Sequence, residues 1–381
     1  MALQHLVLDP SVNEAPTRDH EHHATSLPIA KSTQTHPTKS GSENASIFFV
    51  GTATTILEWE GIRLMTDPNF LHAGDHVHLG PGVTGTRQTN PAIDLHELPR
   101  IDVVLLSHYH AYASFHFPFE SPSFSNFGTT VLFHRQWGIV APQDQDMAWH
   151  DHFDEKVEAS LRRSLPIITT PHAKSHLANK PGTGEAFTSV YELDAFQSMM
   201  VDIHQGSKDG SKVPAIKVTG MPGKHVPPGI LSTLNDLAKA VPPTNGWMLE
   251  LGYQSSEGSD ADFSSGYRIY ISGDTLMVDE LKEIPERYQG QNIDLMLVHL
   301  GGTSIPAPNL PLLMVTMDAA QGLQLVQLIN PDMTIPIHYD DYDVFLSPLS
   351  DFKKAMDHAG LSDKVVYLDR KDQYKFEVKV G

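Results

Sequence analysis

The chain reads as an α/β fold with two sheets and helices outside them. Two observations carry that reading. Apolar, β-branched runs of strand length come first as a meander between Ile47 and Thr66, separated only by turns. Further along, such runs alternate with amphipathic helical stretches, and this meander-then-alternation occurs twice.

Residues 1–44 are rich in Ser, Thr, Pro, His and Glu and lack periodicity, which predicts a disordered or loosely ordered leader. Residues 45–381 then form a single domain. Ile47–Val50, Thr54–Trp59 and Ile62–Thr66 are three strands; Gly51-Thr52 and Glu60-Gly61 are their turns, and Asp67-Pro68 ends the third. Asn69–Pro99 is rich in Gly, Pro and His, including His72, His76 and His78, and reads as a long irregular loop covering a site. Ile101–Leu106 is a buried strand. Val131–His134, Ile167–Thr170, Tyr191–Gln205, Ala215–Gly220, Trp247–Gln254, Tyr267–Ser272, Ile293–His299, Met333–Ile337 and Val365–Leu368 are further strands. Helices are expected over Phe153–Arg163, Pro171–Ala178 with proline in its first turn, Val278–Ile284, Asp318–Leu328 with Asp318 as cap, and Pro348–Ala359.

Composition excludes several function classes. There are no cysteines, so disulfides, thiolate metal sites and a cysteine nucleophile are absent, and a reducing cytoplasm is the expected compartment. Lys and Arg number 27 against 46 Asp and Glu, a net charge of −19. That balance disfavours nucleic acid or an anionic membrane surface as the main partner and leaves a small-molecule substrate. No apolar run reaches the roughly 20 residues of a membrane span. Oligomeric state is left open.

The 22 histidines are the compositional outlier. Several, such as His20, His22, His23 and His36, lie in the polar leader and read as solvated. His108 and His110 differ: they follow the buried strand directly, at a spacing that can turn two imidazoles toward one ion. His225, Asp274, His299 and His338 each fall at or just past the end of an apolar strand as well, a recurrence that packing does not explain. Gly273 beside Asp274 allows close backbone approach.

With these residues assembled, the chain resembles the metallo-β-lactamase fold superfamily, and within it the branch of ascorbate-6-phosphate lactonase and N-acyl-phosphatidylethanolamine phospholipase D. The resemblance runs from about Ser46 to Asp369. It rests on Gly51-Thr-Ala-Thr-Thr55, Thr66-Asp67-Pro68, Asp102-Val-Val-Leu-Leu-Ser-His108-Tyr109-His110, Gly223-Lys-His225, Ser272-Gly-Asp274-Thr275 and Pro336-Ile-His338-Tyr339, in that order. It implies a four-layer α/β/β/α sandwich with the site at one edge. It also implies His108, His110 and His225 as ligands of a first metal, Asp274 as a bridging carboxylate, and His338 as a ligand of a second.

The family motif His-x-His-x-Asp-His departs here. Tyr112 stands where the aspartate belongs and Ala113 where the histidine belongs, so the second site keeps only His338 and a share of Asp274. This predicts one ion, zinc first, with manganese or iron as alternatives. Thr316 replaces a histidine of the phospholipase-like members, which weakens a phosphodiesterase reading. The expected chemistry is attack by metal-bound hydroxide on the carbonyl of a small neutral lactone, lactam, ester or amide. Asp274 would act as general base and Tyr112 as oxyanion donor. Tyr112 is equally a filler of the emptied second site, and unchanged turnover in Tyr112→Phe would remove the donor role. His299 and Tyr109 are substrate-binding candidates, with Phe115, Phe117, Phe119, Phe124 and Phe127 near the mouth. His172 and His176 have ligand-like spacing but sit on a helix outside the ligand set. The alternatives are a non-hydrolytic descendant that binds, isomerises or cyclises a metabolite with weak or no metal, and a phosphodiesterase.

Overall fold

The computed structural model describes residues 3–19, 23–39, 41–80, 83–110, 152–204, 212–226, 241–255, 262–307 and 310–380. In chain order the strands and helices begin with β1 (Gln4–Leu8), β2 (Thr33–Thr35), β3 (Ala45–Gly51), β4 (Thr54–Trp59) and β5 (Ile62–Thr66). A hairpin of β6 (His76–Gly80) and β7 (Val83–Thr86) precedes β8 (Val103–Leu105). Next come α1 (Glu155–Ser160), β9 (Ile167–Thr169), α2 (Pro171–Leu177), β10 (Val190–Glu192), β11 (Ser198–Ile203), β12 (Val213–Gly223), β13 (Thr244–Gln254) and β14 (Ser264–Ile271). The rest comprises α3 (Glu283–Arg287), β15 (Leu295–His299), β16 (Ser304–Ala307), β17 (Leu310–Met314), α4 (Ala319–Ile329), β18 (Met333–Ile337), α5 (Leu349–His358) and β19 (Gln373–Phe376).

Two large sheets result, of seven strands (β1-β11-β12-β13-β14-β15-β18) and eight strands (β10-β9-β8-β5-β4-β3-β19-β2). Alternation along each strand decides the layers. Ile47 and Phe49 of β3 point into one apolar cluster with Val201, Leu249, Leu297 and Ile335 of the other sheet. Phe48 and Val50 point the opposite way, against Val157, Ala173 and Leu177 on and beside α1 and α2. On the far side, Met248, Met296 and Val298 meet Leu325, Phe352 and Met356 of α4 and α5. The order is therefore helix, sheet, sheet, helix, the four-layer arrangement expected.

Local chemistry sets the helix ends. Thr170 caps α2 by accepting from Ala173 N, with Pro171 in the first turn. Asp318 caps α4 by accepting from Gln321 N.

Several expectations are corrected. The N-terminal stretch is not a loose leader where it is described: β1 pairs in parallel with β11, and β2 with β19, so both extend sheet edges. His5 Nδ1 lies 2.7 Å from the buried Asp202 and anchors β1. The short runs that do this are too brief to stand out in polar sequence. Asn69–Pro99 contains the β6–β7 hairpin. Tyr191–Gln205 is two strands, broken where Phe196 takes a positive φ of 62°. Val365–Leu368 is extended but makes only one bridge, Thr334 to Val365; the last strand is β19. The expected strand Val131–His134 lies outside the described residues.

Candidate metal centre

At one edge of the sandwich the chain leaves β8 through Leu106-Ser107-His108. Ser107 N and Oγ both donate to Asp67 Oδ1, each at 2.8 Å, and Asn245 N of the other sheet donates to Ser107 O at 3.0 Å. The turn bearing His108 is thus tied to both sheets. Its ring centroid is 4.9 Å from that of His110, 4.7 Å from His225 and 4.4 Å from His152. His225 follows β12; Lys224 N donates to Thr275 Oγ1 at 2.9 Å, lashing it to the loop that carries Asp274. In that loop Gly273 has a φ of +62°, and a Cβ there would lie 2.3 Å from Asn245 O, so glycine is required. His338 ends β18 with a φ of +61°, its N donating to Thr52 O at 2.9 Å.

His152 is the member of the cluster that sequence reading missed. It is 1% exposed, and its Nε2 lies 3.0 Å from Asp274 Oδ2 and 3.2 Å from His338 Nε2. Asp274 Oδ2 is 3.7 Å from His338 Nε2. One residue intervenes before Asp154, which caps α1 by accepting from Val157 N at 2.8 Å and also accepts from Phe70 N at 2.6 Å. Burial raises Asp154 to about 6 against those bonds. The signal was in the sequence: Asp151-His152 has the Asp-His order of the family motif, displaced beyond residues 111–150. With residues 111–149 set aside, His108-Tyr109-His110 runs into His150-Asp151-His152. The expectation that Asp274 and His338 have no further histidine beside them is corrected by His152. Tyr112, Ala113 and Asp151, and the phenylalanines 115–127, lie outside the described residues.

Hydrogen bonding assigns the tautomers. Leu300 O and Val315 O can only accept, so the Nδ1 atoms of His338 (2.9 Å) and His225 (3.1 Å) carry protons and their Nε2 atoms carry lone pairs. Ser107 gives its proton to Asp67, so its oxygen accepts from His108 Nδ1 at 2.9 Å, and His108 Nε2 is left with a lone pair. His152 Nδ1 faces Ser107 Oγ at 3.4 Å and Asp67 Oδ1 at 3.6 Å, which favours a proton there. The lone pairs of His152 Nε2, His338 Nε2 and a carboxylate oxygen then converge. Such an arrangement repels itself unless a cation or an added proton lies between. The separations of 3.0–3.7 Å suit ligands of one tetrahedral ion, which stand roughly 3.4 Å apart when each is about 2.1 Å from the metal. Among the described residues, Asp274 Oδ1, His108 Nε2 and His299 Nε2 are buried without a hydrogen-bond partner, a costly state that a bound ion relieves for those it reaches. Ligand-type atoms of His108, His152 and Asp274 lie within 4.8 Å of one another, as do those of Asp67, His152 and His299.

The electrostatics fit the same use. Burial, then the neighbouring imidazoles of His152, His225 and His110, push His108 well below the usual imidazole range and keep it neutral. Burial opposes ionisation of Asp274, but the imidazoles of His152 and His338 outweigh it and hold the carboxyl well below its usual range.

The remaining candidates are placed as follows. His299 is fully buried within the cluster, its ring 5.9 Å from His152 and 5.7 Å from His338. Tyr109 turns into the core, 3% exposed, packed on Phe153 with its hydroxyl donating to Glu158 at 2.9 Å, so it is not positioned as a substrate contact. His172 and His176 sit on α2, with His176 behind Tyr109. His72 Nε2 is 2.6 Å from Asp94, apart from the cluster. Thr316 is buried.

No family model matches the chain. It is similar to a UPF0173 metal-dependent hydrolase of Archaeoglobus fulgidus, 26% identical over 59% of this chain and 78% of the relative. A second UPF0173 metal-dependent hydrolase, from Polynucleobacter asymbioticus, is 25% identical over 65% of this chain and 75% of its own length. Among solved structures, an isothiocyanate hydrolase from Delia radicum gut bacteria superposes with a TM-score of 0.58 at 15% identity, over 87% of this chain and 99% of the other. A possible metal-dependent hydrolase from Veillonella parvula gives 0.55 at 15% identity, over 88% and 100%. Two apposed sheets between helix layers, with histidines and an aspartate gathered at the strand ends, give the chain the fold of these two solved structures.

Proposed function

We propose that the chain is a metal-dependent hydrolase with two ion sites. His108, His110 and His225 hold one ion, His152 and His338 the other, and Asp274 lies between them. The observation that carries this reading is the convergence of His152 Nε2, His338 Nε2 and Asp274 Oδ2 within 3.0–3.7 Å. Zinc suits a histidine-rich set with a single carboxylate, with manganese or iron as alternatives. When bound, the ions would polarise the oxygen of an electrophilic group and acidify a water.

The chain's own residues supply the rest. Asp274 is held ionised, and its Oδ1 can orient a water and accept its proton. Ser107 and Asp67 fix the ring planes of His108 and His152. Deep burial of both imidazoles excludes bulk water from that side. The charge of −19 favours a small neutral substrate, and a lactone, lactam, ester or amide carbonyl is the proposed target. Among the described residues no helix is long and apolar enough to cross a membrane; a cytoplasmic location is part of the proposal.

His152 also strengthens a second reading. The case against phosphodiester hydrolysis rests in part on a second site short of ligands, an objection that a ligand role for His152 removes; Thr316 and the acidic charge balance still weigh against it. The test is a turnover panel on metal-loaded and chelator-stripped protein: a lactone, an aryl ester, an anilide, an isothiocyanate and an aryl phosphodiester. Metal-dependent turnover of a neutral substrate is expected. Turnover of the phosphodiester alone would select the second reading, and no metal-dependent turnover across a broad panel would favour a non-hydrolytic role.

A further inference from the structure

His338 holds an uncommon backbone conformation for a non-glycine residue, and its partner in that turn does too: Thr52 has a φ of +51°. Two such residues hydrogen-bonded through His338 N and Thr52 O need an external constraint. The constraint is a buried ion pair. Asp341 Oδ2 accepts from Thr52 N at 2.8 Å, and Asp341 Oδ1 lies 2.9 Å from Arg87 Nη2, both side chains fully buried. Arg87 Nη1 donates to Thr52 Oγ1 and to Asn69 Oδ1 (3.1 Å), and Arg87 Nε donates to Thr89 O at 2.9 Å. Arg370 Nη2 donates to Asp341 Oδ1 at 2.7 Å, so the carboxylate faces two guanidinium groups. Gly51 makes room for both: a Cβ there would lie 3.3 Å from Arg370 Nε and 3.4 Å from Arg87 Nη2.

We propose that the Arg87–Asp341 pair is a positioning device that presets His338 for the second ion. It joins the loop after β18, the β3–β4 turn, the loop after β5 that carries Asn69 and the end of β7 into one ring. Neither residue is among the groups that converge on the ion sites. Burying two charges is an expensive way to gain stability alone, since apolar packing serves as well. A planar fork that addresses Thr52, Asn69 and Asp341 at once instead fixes orientation. The inference rests on the two-ion reading.

The experiment is an equilibrium zinc titration of the metal-stripped full chain, comparing parent, Arg87→Lys and Arg87→Met, with thermal melts alongside. Lysine keeps the charge beside Asp341 but cannot form the fork, so it carries the test if Arg87→Met fails to fold. The parent should bind two equivalents. In Arg87→Lys the first should bind within about twofold of the parent and the second on the order of tenfold more weakly, as for other groups that orient metal ligands. Equal loss at both sites would mark a general folding effect and overturn the proposal. Parent-like affinity at both sites would overturn it while leaving the two-ion reading intact. A parent that takes up only one equivalent would overturn the reading and the clamp together.

Discussion

His108 and His110 leave one short turn two residues apart, whereas His152, His338 and Asp274 come from three separate stretches of chain. Each side of the centre is held accordingly. In the first, two members share one turn whose Ser107 bonds His108 and is itself held by Asp67, and only His225 arrives from another strand. The second depends on long-range ties, Asp154 at the head of α1, Thr52 beneath His338, and Asp67 beside His152. A ligand pair encoded by a strand end can be read from spacing. A ligand brought in by tertiary structure cannot be, and its geometry rests on residues remote from it in sequence.

Asp67 is where the two sides meet, since it accepts from Ser107 and faces His152 Nδ1. Asp67→Ala should weaken both sites, by about 10–100-fold in metal affinity, because it frees two imidazoles from one support. Calorimetric titration of the metal-stripped variant checks this. An effect confined to one equivalent would separate the sides more sharply than proposed here.

A smaller effect is expected from removing the stretch that parts the two sides in sequence. Deleting residues 111–149 joins His110 to His150 and restores the spacing His108-Tyr109-His110-His150-Asp151-His152. Metal stoichiometry, read by elemental analysis, should stay as in the parent. Loss of an equivalent on deletion would show that the interruption itself helps build the centre.

These contrasts also explain what was legible. The meander Ala45–Thr66 and the strands Trp247–Gln254 and Met333–Ile337 carry unbroken apolar or alternating runs, and side-chain alternation fixes their faces. The first-turn proline Pro171 and the cap Asp318 act locally and were equally readable. Missed were β1 and β2, whose short runs become strands only because a sheet edge accepts them. Val365–Leu368 erred the other way: Val366 and Leu368 are buried, but ladder pairing does not continue past Val365. In the centre, His108, His110, His225, Asp274 and His338 were read from strand ends and family likeness. His152 was not, because Ala113 occupies the position at which the motif expects a histidine. Nothing in local periodicity announces a histidine that arrives after 41 intervening residues (111–151).

The central claim is that His152 completes a second ion site with Asp274 and His338. Its most direct test is metal content at saturation, by elemental analysis, of the parent and His152→Ala prepared side by side. Two equivalents in the parent and one in the variant, with the fold intact by circular dichroism, is the predicted result. The same number of equivalents in both proteins would contradict it.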